Sequence, residues 1–595
     1  MRPRKSAFSY FVIILFLIAV LFTLVCGISD MGIAREYPYV IRGAFFVLLL
    51  LLWLLLNSGA AVAARLELED HIRPGGRIAK VTEIVLVAVT LALAGWVRYL
   101  VLVNFPMQPA SDYKTYYEIA CLLKDGTLTK DGAGYCDYIA MFPHVYGYPR
   151  LLATLFRFFG TRVSVAQNFN LILAVATVYL TYLTGRLAGG RLAGITALLL
   201  SAFWPSQVLY ITQAASEFLF SFLLMLGVYL FVLSMKTCTA DMRHPMLGVL
   251  LYIALGVSLG FCATVRPMAL IVVITIVLCI FSQNLFIPAE KAEHQSISLM
   301  ILSRGWLRCL IVLICYVIIT SSTNLTIEHT IDRRLASGSA SFGYNLLVGL
   351  NTSSEGGWNA EDAALLYDEY DRTGDASQAH LACRDLAIQR LTQDPSSIFN
   401  LFLRKYHVLW GNDDYGGTWN IVFLREQGNL TPARETFLYA TRDAGNLFYL
   451  LCVAFAGVAG IFLWRKGNDM EYAFILIFVG TVGMHLFVES QNRYHYHALF
   501  MFALLAGCAV NGIYRMNRAK VLKLREEKEA VEAKNREKQA RIQKMHADEA
   551  ELTQLREAAM QSKFDMRDAL EKNLIHVSVS QVYDEESKKD PANET

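Results

Sequence analysis

The feature that most limits what this chain can fold into is a set of twelve runs of about 20 mostly apolar residues. A run of this length is what an α-helix needs to cross a bilayer. The sequence therefore predicts a mainly α, polytopic membrane protein with about 12 transmembrane helices. The runs lie roughly at residues 7–28, 40–64, 82–104, 163–184, 191–211, 215–235, 246–264, 267–287, 306–322, 444–464, 471–488 and 497–515.

The composition agrees with this class and excludes several others. Charged residues make up 18% of the 595 residues, against about 25% in a typical soluble domain. A soluble enzyme, a disordered scaffold and a secreted disulfide-rich module are therefore excluded. A net charge of +3 is too small to indicate nucleic acid as a partner. The eleven cysteines show no zinc-ligand spacing, and we predict no metal and no cofactor.

Positive charges that flank the runs predict the orientation of the chain. It starts with MRPRKS, and basic residues recur at 65–80, 304–308 and 465–466, which alternation places on the side of the N-terminus. By the positive-inside rule this side is the cytoplasm. The N- and C-termini are then both cytoplasmic, and the first run is an uncleaved helix rather than a signal peptide. Segments 105–162 and 323–443 lie outside.

These boundaries predict five regions. Trp358, Trp410 and Trp419 are the expected core of the second outer segment, which is long enough for a small subdomain. The regions are two extra transmembrane helices (1–80), a membrane core with an outer loop at 105–162 (81–322), an extracytoplasmic loop subdomain (323–443), the last three transmembrane helices (444–516), and a cytoplasmic charged helix with a disordered tail (517–595).

The cytoplasmic helix has one heptad column that is mostly apolar, beginning with Leu524 and Val531. The partner column begins with Glu527, Lys534 and Arg541. A coiled coil needs both columns to be apolar. An oligomerising helix and a solvated charged helix therefore both stay open.

Asp112, in the sequence SDYKTYY, directly follows the third helix and is the first candidate site residue. Ser111 or Asp112 itself suits the N-cap of the next helix. A carboxylate at this interface also suits a general base, and both interpretations stay open. The stretch MFPHVYGYPR adds His144 and Tyr148, whose polar edges and flat faces suit a sugar ring; an interfacial aromatic anchor is the alternative.

Charged residues at other predicted outer helix ends suit an anionic ligand. Glu217 opens the sixth helix, where it complements the helix dipole or else joins Asp112 in one site. Arg266 lies between two apolar helices, where it reaches lipid headgroups or binds one specific phosphate. The stretch 488–497 and the second outer segment supply further cationic or hydrogen-bonding candidates: Lys405, Arg493, Tyr494 and His495.

Taken in order, these features resemble the bacterial GT-C glycosyltransferases of the Dol-P-Man:protein mannosyltransferase type (glycosyltransferase family 39 and its ArnT-like relatives). The resemblance covers about residues 82–516 and implies a GT-C-like membrane core with a catalytic outer loop. It is carried by SDYKTYY, FPHVYGYPRLLATLF, Glu217 at a helix start, Arg266-Pro267, and RYHYHAL near the last helix.

The resemblance implies inverting transfer of a sugar from a polyprenyl-phosphate donor to an envelope glycan, lipid or protein acceptor on the outer face. Asp112 would be the general base, and Arg266, Arg493 and Lys405 would bind the leaving phosphate. Other expected partners are membrane lipids and a second copy through the cytoplasmic helix. A multi-helix transporter and a lipid-linked glycan flippase or ligase are the alternatives. A transporter predicts matched halves, which the sequence does not show.

Overall fold

The described part of the chain is almost entirely helical, which confirms the prediction of a mainly α protein. Contacts between residues divide the chain into two compact units, 1–517 and 518–595. The computed structural model describes residues 6–31, 38–68, 77–240, 245–282, 301–302, 304–338, 341–465 and 470–586.

Long apolar helices alternate with short helices that lie in two connecting segments. The chain begins with α1 (Ala7–Asp30), α2 (Pro38–Leu68) and α3 (Arg77–Asn104). The first connecting segment contains α4 (Ser111–Asp125), α5 (Leu128–Asp131), α6 (Ala133–Met141) and α7 (Gly147–Phe159). Apolar helices follow: α8 (Val163–Gly189), α9 (Arg191–Ala202), α10 (Pro205–Leu209), α11 (Glu217–Ala240), α12 (Pro245–Ala263), α13 (Ala269–Ser282) and α14 (Gly305–Ile331).

The second connecting segment carries α15 (Gly343–Gly349), α16 (Ala360–Thr373), α17 (Ala376–Gln393), α18 (Pro395–Trp410) and α19 (Tyr415–Glu426). The remaining helices are α20 (Pro432–Arg465), α21 (Glu471–Phe487) and α22 (Leu499–Glu586). Short 3₁₀ turns lie at Pro143–Val145, Tyr210–Thr212 and Asn492–Ala498.

Each of the twelve predicted apolar runs contains a helix. Among the described residues, nine helices are long and apolar enough to cross a membrane. Three of the twelve runs remain. The bent pair α9 and α10 lies in the run at 191–211, and the shorter helices α13 and α21 lie in the runs at 267–287 and 471–488. These findings confirm a multi-pass membrane protein.

The prediction of one continuous helix over 191–211 is wrong. Helix α9 ends at Ala202, and the chain resumes as a helix at Pro205 with a bend of 48°. Proline lacks the N–H that a helix interior needs and disfavours helical backbone in the residue before it, so Pro205 starts a new helix instead. The break brings residues 205–212 next to the connecting segments.

The expected tryptophan core of the second connecting segment is also wrong. Trp358 is 61% exposed, while Trp410 and Trp419 pack in the main membrane core. Helices from both connecting segments instead share one hydrophobic core with the end of α14, because each buries its apolar face against the others. Its fully buried members include Ile139, Leu347, Leu366, Ala379 and Cys383.

Polar contacts hold the two connecting segments together at their junction. The Ala336 N–H donates to the Ala140 carbonyl oxygen at 2.9 Å, and His380 Nε2 lies 2.9 Å from the Met141 carbonyl oxygen. Cys121 and Cys136, both in the first connecting segment, are free thiols. The first connecting segment is therefore held in place by the second.

Close packing of α15 on α17 gives a first testable prediction. A Cβ atom at Gly343 would stand 1.8 Å from the His380 carbonyl oxygen. Gly343→Ala should therefore lower the free energy of unfolding by about 2–3 kcal/mol, since the two backbones must separate. Thermal unfolding in detergent measures this. Gly338→Ala is the control, because no atom lies within 4 Å of its Cβ position. Equal midpoints for both variants would contradict the packing.

The second unit is helical as far as Glu586, and residues 587–595 of the expected disordered tail lie outside the described residues. Leu524 and Val531 of the apolar column are 62% and 57% exposed. Ion pairs one turn apart line the helix, such as Arg525 with Glu529 at 2.9 Å. The coiled coil stays a prediction.

Candidate active site

A chain of hydrogen bonds runs from Asp112 into the membrane core. The Arg493 guanidinium donates to the Asp112 carboxylate and, at 2.6 Å, to the Tyr113 hydroxyl. Tyr113 and Tyr210 hydroxyls lie 2.6 Å apart, and Tyr210 donates to Glu217 Oε1 at 3.0 Å. Each hydroxyl thus accepts one bond and donates one. Asp112 and Glu217 belong to one hydrogen-bond network, in line with the alternative in which Glu217 joins Asp112 in one site.

Asp112 is presented by an unusual start of α4. The residue before the helix is Ala110, and no side chain caps the first turn. Neither Ser111 nor Asp112 is therefore the N-cap. Ser111 has a φ of 48°, a left-handed conformation that costs about 1 kcal/mol outside glycine. This turn directs Asp112 toward Arg493. The Asp112 side chain is 45% exposed, while that of Arg493 is only 6% exposed.

Glu217 and Arg266 form a buried ion pair at the other end of the network. Arg266 Nη2 lies 2.8 Å from Glu217 Oε1, and the side chains are 16% and 4% exposed, respectively. Glu217 Oε2 and Arg266 Nε are buried, and no partner for either atom occurs in the described residues. Arg266 is therefore paired rather than turned to lipid, and one of its N–H donors is still available.

An open cleft lies beside this pair. Three predicted residues line it: Arg266, His144 and Tyr494. Burial and the charge of Arg266 lower the pKa of His144 to about 4, so His144 is neutral at physiological pH. The cleft is lined by His144, Arg266, Pro267, Met268, Phe342, Asn345, Met484, His485, Val488, Glu489 and Tyr494.

Tyr494 connects the cleft to both arginines. Its ring lies 5.9 Å from the Arg266 guanidinium and 5.6 Å from that of Arg493. Its hydroxyl donates to Glu489 Oε1 at 3.1 Å. Burial raises the pKa of Glu489, so this carboxyl group binds a proton more readily than an exposed glutamate. The cleft therefore offers a guanidinium, a carboxyl group and an aromatic face.

Lys405 was expected to bind phosphate, but its ammonium is already fully bonded. It donates to the carbonyl oxygens of Gly349, Leu486 and Val488 at 2.6, 2.8 and 2.8 Å. The residue is 1% exposed and does not line the cleft. Lys405 instead connects the end of α15, at Gly349, to the end of α21 and the residue after it, at Leu486 and Val488.

His495 and Tyr148 also lie away from the cleft. His495 is fully buried, with Nδ1 2.5 Å from the Leu409 carbonyl oxygen and Nε2 3.0 Å from Asp413 Oδ1. Tyr148 is 1% exposed and donates to Asn170 Oδ1 at 3.1 Å. Both side chains have their hydrogen bonds inside the protein and have no group free for a ligand.

Several site residues were not found from the sequence. Tyr113 and Tyr210 join the two ion pairs, and His485 and Glu489 line the cleft. The density of polar residues at 488–497 pointed to the right segment, but nothing in it distinguished Glu489 from His495. No group of three His, Cys, Asp or Glu side chains suited to a metal occurs among the described residues.

The buried ion pair gives a second prediction. Glu217→Gln should lower the free energy of unfolding by about 3–5 kcal/mol, because Arg266 would keep a buried charge without a counter-ion. Glu361→Gln, in the first turn of α16, is the control for a helix-dipole effect of about 0.3–1 kcal/mol. Unfolding midpoints that fall equally in both variants would leave Glu217 with only a dipole role.

Comparison with known proteins finds similarity to solved structures only. No protein-family model matches it, and no curated protein matches it. An oligosaccharyltransferase, AglB from Archaeoglobus fulgidus, solved with an inhibitory peptide and a dolichol-phosphate, is 14% identical with a TM-score of 0.39. The match covers 73% of this chain and 50% of AglB, so the chain spans half the length of that protein.

ArnT from Cupriavidus metallidurans, solved with undecaprenyl phosphate, is 11% identical with a TM-score of 0.31. That match covers 71% of this chain and 77% of ArnT. Both similarities are distant.

Proposed function

We propose that this chain is an integral membrane glycosyltransferase of the GT-C type. It moves a sugar from a polyprenyl phosphate to an acceptor hydroxyl on the outer face of the membrane. The observation that carries the proposal is the contact of a half-exposed carboxylate, Asp112, with a buried guanidinium, Arg493, in one network with the Arg266 cleft. N- and C-termini are then cytoplasmic, as the flanking charges predict.

Donor binding follows from two neighbouring cavities. An open groove lies between α7, α11, α12 and α14, and its lining includes Leu219, Leu223 and Phe261. Thr264 and Val265 also line this groove, and the next residue, Arg266, lines the cleft. The polyprenyl tail lies in the groove, the phosphate meets the free Nε of Arg266, and the sugar enters the cleft.

Asp112 acts as the general base. It accepts the proton of the acceptor hydroxyl while the oxygen attacks the anomeric carbon. The bond from that carbon to the phosphate oxygen breaks, and its electron pair leaves with the lipid phosphate. Attack opposite the leaving group inverts the anomeric centre. Arg493 holds the carboxylate in place, and Arg266 balances the charge on the phosphate.

A transfer assay in proteoliposomes tests the proposal. Purified protein receives radiolabelled undecaprenyl-phosphate sugars, with host envelope extract as the acceptor. We expect label to leave the lipid with wild type and with Asp125→Asn, which changes an exposed carboxylate on the same helix. It should stay on the lipid with Asp112→Asn. Label that crosses the bilayer on intact lipid would instead support a flippase, and equal transfer by both variants would refute Asp112 as the base.

A further inference from the structure

A buried histidine in the cleft has one ring nitrogen for which the described residues offer no hydrogen-bond partner. His485 lies two residues before the end of α21 and is 4% exposed. It lines the cleft, and its Nε2 atom is buried without a partner in the described residues. An unsatisfied buried polar atom costs about 1–3 kcal/mol. Such an atom in a cleft indicates a ligand group that is absent from the free protein.

Neighbouring contacts determine which kind of ligand group His485 accepts. His485 Nδ1 lies 3.1 Å from the Glu489 carbonyl oxygen. A carbonyl oxygen only accepts hydrogen bonds, so Nδ1 carries the ring proton and Nε2 presents a lone pair. Nε2 is thus an acceptor that needs an O–H or N–H donor.

The ring is held so that this lone pair keeps one direction. It stacks on Tyr494 with centroids 5.7 Å apart and an angle of 24° between the planes. The Ser490 hydroxyl donates to the His485 carbonyl oxygen at 2.9 Å, which holds the helix end against the following loop. A rigid, desolvated acceptor discriminates strongly against a ligand that lacks the matching donor.

We propose that His485 Nε2 accepts a hydrogen bond from one ring hydroxyl of the donor sugar and makes His485 a specificity-determining residue. The inference rests on the proposed transferase function, because the sugar occupies the cleft only if its phosphate is bound at Arg266. Arg266 then recognises the charged end of the donor, and His485 recognises one hydroxyl of the sugar.

The test compares wild type, His485→Phe and His485→Gln with one undecaprenyl-phosphate hexose that wild type transfers. It also uses the series of analogues that each lack one hydroxyl. In wild type, kcat/KM should fall about 100-fold for one deoxy analogue. In His485→Phe, kcat/KM for the parent hexose should fall to the value for that analogue. For the analogue itself, kcat/KM should change less than about threefold. His485→Gln should recover part of the discrimination, since its amide oxygen is an acceptor.

The contrary results are distinct. Wild type that transfers every deoxy analogue as well as the parent would overturn the inference and leave the transferase function intact. If kcat/KM falls equally for all donors in His485→Phe, His485 is a packing residue only. If His485→Phe does not fold, His485→Gln decides, because unchanged discrimination there also overturns the inference. Wild type that transfers no sugar would refute the proposed function itself.

Discussion

Asp112→Asn should lower the rate of sugar transfer by a factor of about 10²–10⁴, the usual contribution of a general base. Asparagine keeps the size of the side chain and one oxygen that accepts from Arg493, but it cannot take the proton of the acceptor hydroxyl. We therefore expect kcat to fall while the affinity for polyprenyl phosphate changes little. The unfolding midpoint should fall less than in Glu217→Gln, because Asp112 is 45% exposed and Glu217 only 4%. Single-turnover transfer and a thermal scan measure the two effects separately.

Two comparisons make this result specific. Asp125→Asn removes an exposed carboxylate whose Lys124 partner is also at the surface, and its activity should stay within about twofold of wild type. Asp112→Glu moves a working carboxylate by one methylene group, so it should retain more activity than the asparagine variant. A large loss of activity with an equally large loss of thermal stability would indicate a structural role for Asp112 instead.

Lys405→Met should produce a loss of stability as large as that expected for Glu217→Gln. Methionine keeps most of the length of the side chain but removes the ammonium, which leaves the carbonyl groups of Gly349, Leu486 and Val488 without their donor. We expect the free energy of unfolding to fall by about 3–5 kcal/mol. Because Val488 and Glu489 line the cleft, transfer activity should fall with the folded fraction.

Arg404→Met is the matched control for this effect, since it changes the neighbouring cation on the same helix. Arg404 and Glu355 are each 53% exposed and lie 3.3 Å apart, so the variant should lose no more than about 1 kcal/mol. Thermal unfolding and limited proteolysis in detergent compare the two variants. Equal stability of both would mean that the Lys405 contacts do not hold the fold.

The sequence was sufficient for properties that depend on a local stretch of chain. Each apolar run forms a helix, because about 20 apolar residues in lipid satisfy their backbone hydrogen bonds only within the helix itself. The break at Pro205 was missed because its signal is one residue inside an otherwise apolar run. The position of Asp112 directly after α3 was also evident, since it follows from where that helix ends.

Tertiary structure alone decided which polar residues work together. Asp112 and Arg493 are 381 positions apart in the chain, and only packing of the helices brings them into contact. Lys405 and His495 have the side chains that a phosphate site needs, yet backbone carbonyls and Asp413 already occupy them. His485 showed no sequence signal at all. The sequence gives the chemical type of each side chain. Its burial and its hydrogen-bond partners depend on distant segments of the chain, and these determine whether the side chain is free to bind a ligand.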